Sequence, residues 1–167
     1  VRSKESSDHA DMIQFWTTGG TSPTTDIVIR SNILDIGDGD LTQSIFMRNE
    51  VVDGGLAGED MFYQNVLIEQ NVIRNSHAHG ITVGETNSLW IRNNTVLAVD
   101  PNDAGFEMVP RINVAAPAKN VIIEQNVSGG ISGFSDQSDW SLIANSILQN
   151  SDVGIEKHYE TQFITSS

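Results

Sequence analysis

Apolar and polar residues alternate in short runs along most of this chain, and the runs recur. The clearest run is HAHGITVGE at residues 77–85, and SLWIRNNTV follows it at residues 88–96. Alternation over four to eight residues is typical of a β-strand with one buried face. Because the same two-strand unit returns along the chain with insertions, we predict a repeated β architecture.

Three columns of equivalent residues define the repeat. The first strands align at Ile13, Ile45, Ile81, Ile112, Ile131 and Ile155, and the second strands align at Ile29, Ile68, Ile91, Ile123 and Leu142. An asparagine ends each second strand, at Asn32, Asn71, Asn94, Asn126 and Asn145, with steps of 39, 23, 32 and 19 residues. Strand repeats of about 20 residues or more predict a β-solenoid. The fold class is therefore all-β, a right-handed parallel β-helix of about six coils stacked roughly 4.8 Å apart.

The asparagine column predicts an Asn ladder. An asparagine at a tight turn tolerates left-handed dihedral angles, and its amide can bond the equivalent residue in the coils above and below. The segments NNT at residues 93–95 and NVS at residues 126–128 also match glycosylation acceptors. We prefer the ladder, because it accounts for all five asparagines.

Two outward columns accompany the second strands. One alternates in charge through Arg30, Glu69, Arg92 and Glu124, which predicts ion pairs between coils, each contributing at most about 1 kcal/mol. The neighbouring column is apolar and consists of Val28, Leu67, Trp90 and Ile122. Either an insertion covers this column, or it forms an interface with a second copy of the chain or with a neighbouring domain.

Composition restricts the classes of partner. The net charge of −13 and the pI of about 4.4 argue against nucleic acid, whose phosphates need a basic surface. There is no cysteine, which excludes disulfides and thiolate metal sites, and no apolar run of about 18 residues predicts a membrane span. We expect residues 1–167 to form a single β-helix domain, and the abrupt start at Val1 suggests a fragment of a longer solenoid.

Long insertions identify the face on which a binding groove is expected. Residues 17–25, 49–62 and 98–110 lengthen the connections that border the first strands, and solenoids carry function on faces walled by such loops. The candidate catalytic residues on this face are His79, Arg48, Arg111 and Asp11. The candidate substrate-binding residues are His9, Gln14, Trp16, Phe46, His77, Thr82, Glu85 and Asn113.

This mixture of side chains suits an acidic sugar polymer. Arg48 or Arg111 can clamp a uronate carboxylate, His79 or His9 can exchange a proton near neutral pH, and aromatic rings can stack on sugars. The alternative for each residue is an ordinary solvated strand face. The predicted partner is therefore an acidic polysaccharide, bound with or without Ca²⁺.

Metal sites have weaker sequence support. His77 and His79 share a strand face but have no clear third ligand. The acidic turn at residues 35–40 has three carboxylates and could bind Ca²⁺, although a solvated turn is the preferred interpretation.

The chain resembles the pectin-lyase-like β-helix superfamily, which includes pectate and alginate lyases, polygalacturonases, mannuronan epimerases and phage tailspikes. HGITVG at residues 79–84, followed by RIN at residues 111–113, is similar to the polygalacturonase segments Gly-His-Gly-Ile-Ser-Ile-Gly and Arg-Ile-Lys. Asp11 stands where that family's first catalytic aspartate precedes a strand. The paired aspartate is replaced by Thr42 and Gln43, and the lysine by Asn113, so inverting hydrolysis is not carried over.

The resemblance implies a protein at the extracellular, cell or virion surface that acts on polysaccharide. The first hypothesis is a lyase or C5-epimerase acting on an acidic glycan, with His79 as the base, Arg48 and Arg111 as clamps, and Asp11 and Glu85 as orienting residues or calcium ligands. The second is a non-catalytic glycan-binding spike, adhesin or structural module, which the apolar column favours.

Overall fold

A computed structural model of the protein describes residues 11–37, 42–98, 109–133 and 138–148. These residues form three sheets of five parallel strands, and each sheet takes one strand from every coil. The described part therefore contains five coils of a right-handed parallel β-helix, as predicted from the repeat. The sixth predicted coil, which includes Ile155, lies outside the described residues.

Sheet A contains the first strand of each coil: β1 (Asp11–Trp16), β4 (Gln43–Arg48), β7 (His79–Val83), β10 (Arg111–Val114) and β13 (Ile131–Ser132). Sheet B contains β2 (Thr25–Arg30), β5 (Tyr63–Glu69), β8 (Thr86–Arg92), β11 (Lys119–Glu124) and β14 (Trp140–Ile143). Sheet C contains the third strands: β3 (Ile33–Asp35), β6 (Val72–Asn75), β9 (Thr95–Ala98), β12 (Val127–Ser128) and β15 (Ser146–Ile147). This order makes every connection a crossover to the next sheet, so equivalent residues of successive coils stack.

The aliphatic columns form the core, and the strand registers confirm the predicted alignment. Ile45 pairs with Ile81, and Ile81 pairs with Ile112, in sheet A; all three side chains are fully buried. In sheet B, Ile68 pairs with Ile91 and Ile91 with Ile123. The stacked columns exclude water from the interior, which gives the three outer faces a rigid support.

The Asn ladder is confirmed in atomic detail. Asn94 Oδ1 accepts hydrogen bonds from the backbone N and from Nδ2 of Asn71, at 3.0 and 2.9 Å. Asn94 Nδ2 donates to Asn126 Oδ1 at 2.9 Å and to the carbonyl oxygen of Ile68 at 2.9 Å. The same pattern continues from Asn126 to Asn145. The buried amides are therefore fully used within the stack.

One detail of the ladder prediction is wrong. The ladder asparagines do not adopt left-handed dihedral angles; the residue before each of them does, namely Ser31, Gln70, Asn93, Gln125 and Ala144, with φ between 51 and 57°. The sharp turn lies at that preceding, outward-facing residue, so the asparagine itself is free to point inward and bond its neighbours.

The charged column of sheet B pairs as expected. Glu69 forms ion pairs with Arg30 and with Arg92, whose Nε lies 2.7 Å from Glu69 Oε2. The hydrogen bond from Arg92, together with the one from Arg30, holds the pKa of Glu69 below its ordinary value although burial opposes the shift. Glu124 follows in register beside Arg92.

The apolar column of sheet B remains at the surface. Val28 is 57 % exposed and Trp90 is 44 % exposed, while Leu67 and Ile122 are half-buried. The described insertions do not bury this column, so the prediction of a covering loop has no support among the described residues. The guanidinium of Arg92 lies 4.9 Å from the centre of the Trp90 ring. An interface with a second chain stays a prediction.

The second insertion contains helical structure that the alternation did not predict. Residues 50–53 form a one-turn helix, α1 (Glu50–Asp53), and a 3-10 turn follows at Glu59–Met61. No helix in the described part of the chain is long and apolar enough to cross a membrane. The third insertion lies mostly outside the described residues, at 99–108.

Candidate functional site

The outward row of sheet A forms the floor of a cleft. Phe46 pairs with Thr82, and Thr82 pairs with Asn113, in adjacent coils. Asn113 Nδ2 donates to Thr82 Oγ1 at 3.2 Å, and Ser132 Oγ donates to Asn113 Oδ1 at 2.6 Å. A cavity of about 340 Å³ opens over this row. Its lining residues are Phe46, Met47, Arg48, Asp53, His79, Thr82, Val83, Gly84, Glu85, Asn113, Val114 and Ala115.

Two insertions are bonded together at one end of this cleft. Asn49 is fully buried, and its Nδ2 donates to the carbonyl oxygen of Met61 at 2.9 Å, which closes the second insertion on itself. Thr17 Oγ1 donates to Asn49 Oδ1 at 3.0 Å, and Thr18 Oγ1 donates to Glu50 at 2.7 Å. These bonds tie the first insertion to the second, so α1 is held beside sheet A.

His79 lies against the floor of the cleft with its ring fixed on three sides. Its Nδ1 lies 2.7 Å from Thr82 Oγ1. Its ring meets the Phe46 ring edge-on, with centroids 5.5 Å apart, and stacks on the His77 ring at 5.1 Å. His77 Nδ1 accepts the backbone N–H of His79 at 3.1 Å. The orientation of His79 is therefore set by packing, with Nδ1 against a hydroxyl that can donate or accept a hydrogen bond.

Arg48 ends β4 and forms the cationic side of the cleft. Its Nε lies 2.7 Å from Asp53 Oδ2, and its guanidinium lies 5.7 Å from the centre of the Trp16 ring. The hydrogen bond to Asp53 raises the pKa of Arg48, which therefore stays charged. Because Nε is used for Asp53, the terminal amino groups are the other hydrogen-bond donors of this side chain.

Glu85 follows β7 and is buried beside this ion pair. Only 8 % of Glu85 is exposed, its Oε2 accepts no hydrogen bond from the described residues, and it lines the first cavity together with Asp53. Burial and the adjacent Asp53 carboxylate raise the pKa of Glu85. The backbone N–H of Tyr63 donates to the Glu85 carbonyl oxygen at 3.0 Å, which fixes the residue in place.

Tyr63 closes the base of this carboxyl cluster. Its hydroxyl donates to the carbonyl oxygen of Arg48 at 2.9 Å. Burial, followed by the charges of Glu85 and Asp53, raises the pKa of Tyr63 well above its ordinary value, so it remains a neutral donor.

A second cavity, of about 330 Å³, adjoins the same ion pair on the side of the insertions. Its lining residues are Thr18, Gly19, Arg48, Glu50, Val51, Asp53, Gly54 and Leu56. Arg48 and Asp53 line both cavities, so their ion pair lies between the two.

Half of the predicted site residues line the first cavity: Arg48, His79, Phe46, Thr82, Glu85 and Asn113. Trp16 and His77 contact members of that group, Trp16 through Arg48 and His77 through His79. Gln14 is exposed at the end of the Phe46 row.

Two predicted catalytic residues do not line the first cavity, and one predicted binding residue is not described. Arg111 pairs with His79 in backbone register, but its side chain extends along Gly130 of the next coil, with Cδ 3.4 Å from an ideal Cβ there. Both carboxylate oxygens of Asp11 are buried, and Asp11 pairs in register with Gln43. His9 lies outside the described residues.

Asp53 is a cleft residue that the sequence reasoning missed. It lies in an insertion without strand alternation, so no column pointed to it. Its only sequence signal was a basic residue five positions earlier, Arg48, and that spacing falls on neither a strand nor a regular helix face. The contact depends on how the insertion folds back over sheet A.

The described residues do not assemble a metal centre. No group of three or more His, Cys, Asp or Glu side chains among them could hold a metal ion. The His77 and His79 rings lie 26° from parallel, so their in-plane lone pairs do not converge on one point. In the acidic turn, Asp35 pairs with Arg74 at 2.9 Å and accepts the Gly37 N–H at 2.9 Å, while residues 38–40 lie outside the description.

Comparison with known proteins identifies one family. A search among curated proteins and a search among solved structures returned no significant match. The family model described as "Periplasmic copper-binding protein (NosD)" matches residues 37–167, which is most of the chain. That family lies within the clan of right-handed parallel β-helix, pectin-lyase-like proteins, so the predicted resemblance holds at this level and not for any particular lyase or hydrolase. With its five stacked coils and this match, the chain belongs to the NosD family.

Proposed function

We propose that this protein binds an acidic, uronate-containing glycan in the cleft of sheet A and acts on it as a lyase or C5-epimerase. The observation that supports this best is the juxtaposition, in one cavity of about 340 Å³, of an imidazole, a guanidinium and a buried carboxyl around an aromatic floor. Proton abstraction beside a uronate carboxylate needs a base, a cation for the carboxylate and a proton donor.

The imidazole, the aromatic floor and the guanidinium follow one another along the strand direction of sheet A. The His79 ring lies over Thr82 and the edge of Phe46. Arg48 follows Phe46 by two residues on the same face, a rise of about 7 Å. A sugar ring on Phe46 would therefore lie between the imidazole and the guanidinium.

The proposed chemistry begins at the carbon next to the carboxylate. Arg48 binds the uronate carboxylate through its terminal amino groups, and the neutral His79 removes H5 through Nε2, with Nδ1–H donating to Thr82 Oγ1. The electron pair of the C5–H bond moves into the carboxylate, forming an enediolate. Elimination then forms the C4–C5 double bond and breaks the C4–O4 bond, whereas epimerisation returns a proton to C5 from the opposite face.

The test uses alginate and pectate as substrates. Absorbance of the unsaturated product measures elimination, and proton NMR of the polymer measures epimerisation. We expect His79→Ala to abolish turnover while binding persists, and Arg48→Ala to weaken binding. Arg74→Ala, which breaks an ion pair on sheet C, is the matched control. Native protein that leaves both polymers unchanged, with and without Ca²⁺, would exclude the enzymatic proposal.

A second candidate is a non-catalytic glycan-binding or structural module. The exposed column of Val28 and Trp90 favours it, because a solenoid can pack side by side with a copy of itself through an apolar face. Sedimentation at increasing protein concentration distinguishes the cases: a monomer throughout, together with turnover, would reject this candidate.

The family description names copper and the periplasm. Imidazole nitrogens suit copper, but in the described residues both Nδ1 atoms of the histidine pair are engaged and the two rings do not converge, so this cluster does not fit a copper centre. A location outside the cytoplasm is compatible with a glycan substrate. Titration with Cu²⁺ followed by electron paramagnetic resonance tests the alternative. Tight binding that His77→Ala weakens would favour copper binding over glycan chemistry.

A further inference from the structure

Glu85 and Asp53 come together through two separate features of the fold. Glu85 is held at the end of β7 by the close approach of Gly84 to β4, where Gly84 N donates to the Met47 carbonyl oxygen at 2.7 Å. Asp53 is brought in by the folded-back second insertion, as the last residue of α1. Both residues line the cleft, and the pairing of Met47 with Val83 places Glu85 towards its Arg48 end.

The two carboxyls have different hydrogen-bond partners. Asp53 Oδ2 lies 2.7 Å from Arg48 Nε, so this carboxyl is paired with a cation. Glu85 Oε2 is buried and receives no hydrogen bond from the described residues. Two carboxyl groups in contact can form a hydrogen bond only when one of them carries a proton. Because burial disfavours a carboxylate without a hydrogen-bond partner, the proton of such a pair would belong to Glu85.

We infer that Glu85 and Asp53 share one proton and form the proton-donating group of the cleft, complementary to the base His79. This inference rests on the proposed function. In elimination, Glu85 gives its proton to O4 as the C4–O4 bond breaks and becomes a carboxylate, while His79 holds the proton taken from C5. In epimerisation the same proton goes to C5. Exchange with solvent then restores both groups.

The charged and titratable groups around the pair are consistent with a single proton. Arg48 faces it from β4, and Tyr63, neutral, faces it from β5. Glu50, on α1, adds negative charge near Arg48 and accepts Thr18 Oγ1. With one cation, one anion and one neutral acid, the Arg48, Asp53 and Glu85 cluster has no net charge, which allows an anionic sugar to approach.

The first experiment measures the shared proton without requiring activity. Because the folded state favours protonated Glu85, its contribution to stability is complete below its ordinary pKa of 4.5 and is lost as the pH rises through the raised value. Relative to Glu85→Gln, whose amide can still donate to Asp53, the native Tm should fall progressively above pH 4.5. Glu59→Gln, which removes an exposed ion pair on the same insertion, is the control. Its curve of Tm against pH should run parallel to that of the native protein. Parallel curves for the native protein and Glu85→Gln would overturn the inference.

The second experiment measures kcat and KM on alginate and pectate across pH. Glu85→Gln should lower kcat by about 100-fold, with KM nearly unchanged, and should remove the alkaline limb of the kcat profile. If the native protein is active and Glu85→Gln keeps both its kcat and the alkaline limb, the inference is overturned but the proposed function still holds. An inactive native protein with the expected Tm difference would remove the proposed function and retain the shared proton.

Discussion

Gly84 and Met47 approach so closely that a side chain at position 84 would be crowded by backbone atoms. The backbone N–H of Gly84 donates to the Met47 carbonyl oxygen at 2.7 Å, and an added Cβ would lie 3.0 Å from that oxygen and 3.1 Å from the backbone nitrogen of Asn49. Both neighbours are backbone atoms, which cannot rotate away. This contact places Glu85 beside Arg48 and Asp53, so the glycine of the HGITVG segment positions the wall of the cleft.

We therefore expect Gly84→Ala to lower the free energy of unfolding by about 1–3 kcal/mol, because the methyl group overpacks a backbone contact. Urea unfolding followed by circular dichroism measures the change. Gly58→Ala is the matched control, since an added Cβ there meets only a side-chain oxygen of Asp60 at 3.5 Å. Equal stabilities of the two variants would contradict the close-contact explanation.

The Asn ladder should be strongest at its buried middle. Asn94→Ala removes the hydrogen-bond partner of Asn71, of Asn126 and of the Ile68 carbonyl oxygen, all of which are buried. We therefore expect the free energy of unfolding to fall by about 3 kcal/mol or more. Asn32→Ala, at the half-buried first rung, should cost less because water replaces its bonds. Chemical denaturation gives both values, and a cost at Asn32 as large as that at Asn94 would refute the burial argument.

Thr82 should determine which nitrogen of His79 carries the proton. Thr82→Val removes the hydroxyl 2.7 Å from His79 Nδ1, so the neutral ring should shift towards the Nε2–H form, which cannot act as a base through Nε2. Long-range proton–nitrogen NMR of the imidazole reports the tautomer directly, whether or not the protein is active. Thr82→Ser should preserve the native spectrum; if Thr82→Val preserves it as well, the hydroxyl does not direct the ring.

The charged column of sheet B should make stability fall in acid. The hydrogen bonds from Arg92 and Arg30 hold the pKa of Glu69 below 4.5, so its contribution is complete above that pH and is lost as the pH falls through the lowered value. Glu69→Gln should therefore be less stable than the native protein near neutral pH, and the gap should narrow below pH 4.5. Unfolding curves at a series of pH values measure it, and a gap independent of pH would show that Glu69 contributes by packing alone.

The local pattern of residues specified most of the scaffold. Stacked coils place equivalent positions about 4.8 Å apart. Two columns can therefore be recognised from the sequence alone: Ile45, Ile81 and Ile112, and Asn71, Asn94 and Asn126. The turn geometry was less visible. Left-handed angles at Gln70 and Asn93 depend on how the chain leaves each strand, which their residue types do not specify uniquely.

The residues of the candidate site also fall into those that the sequence could place and those that only the tertiary structure placed. His79, Thr82 and Asn113 could be placed together from the sequence alone, because the strand period and the coil repeat determine both their face and their neighbours. The ion pair of Asp53 with Arg48, and the direction of the Arg111 side chain towards Gly130, were decided only by the tertiary structure. An insertion has no periodicity to relate it to the sheet, and a long exposed side chain takes its direction from the packing around it.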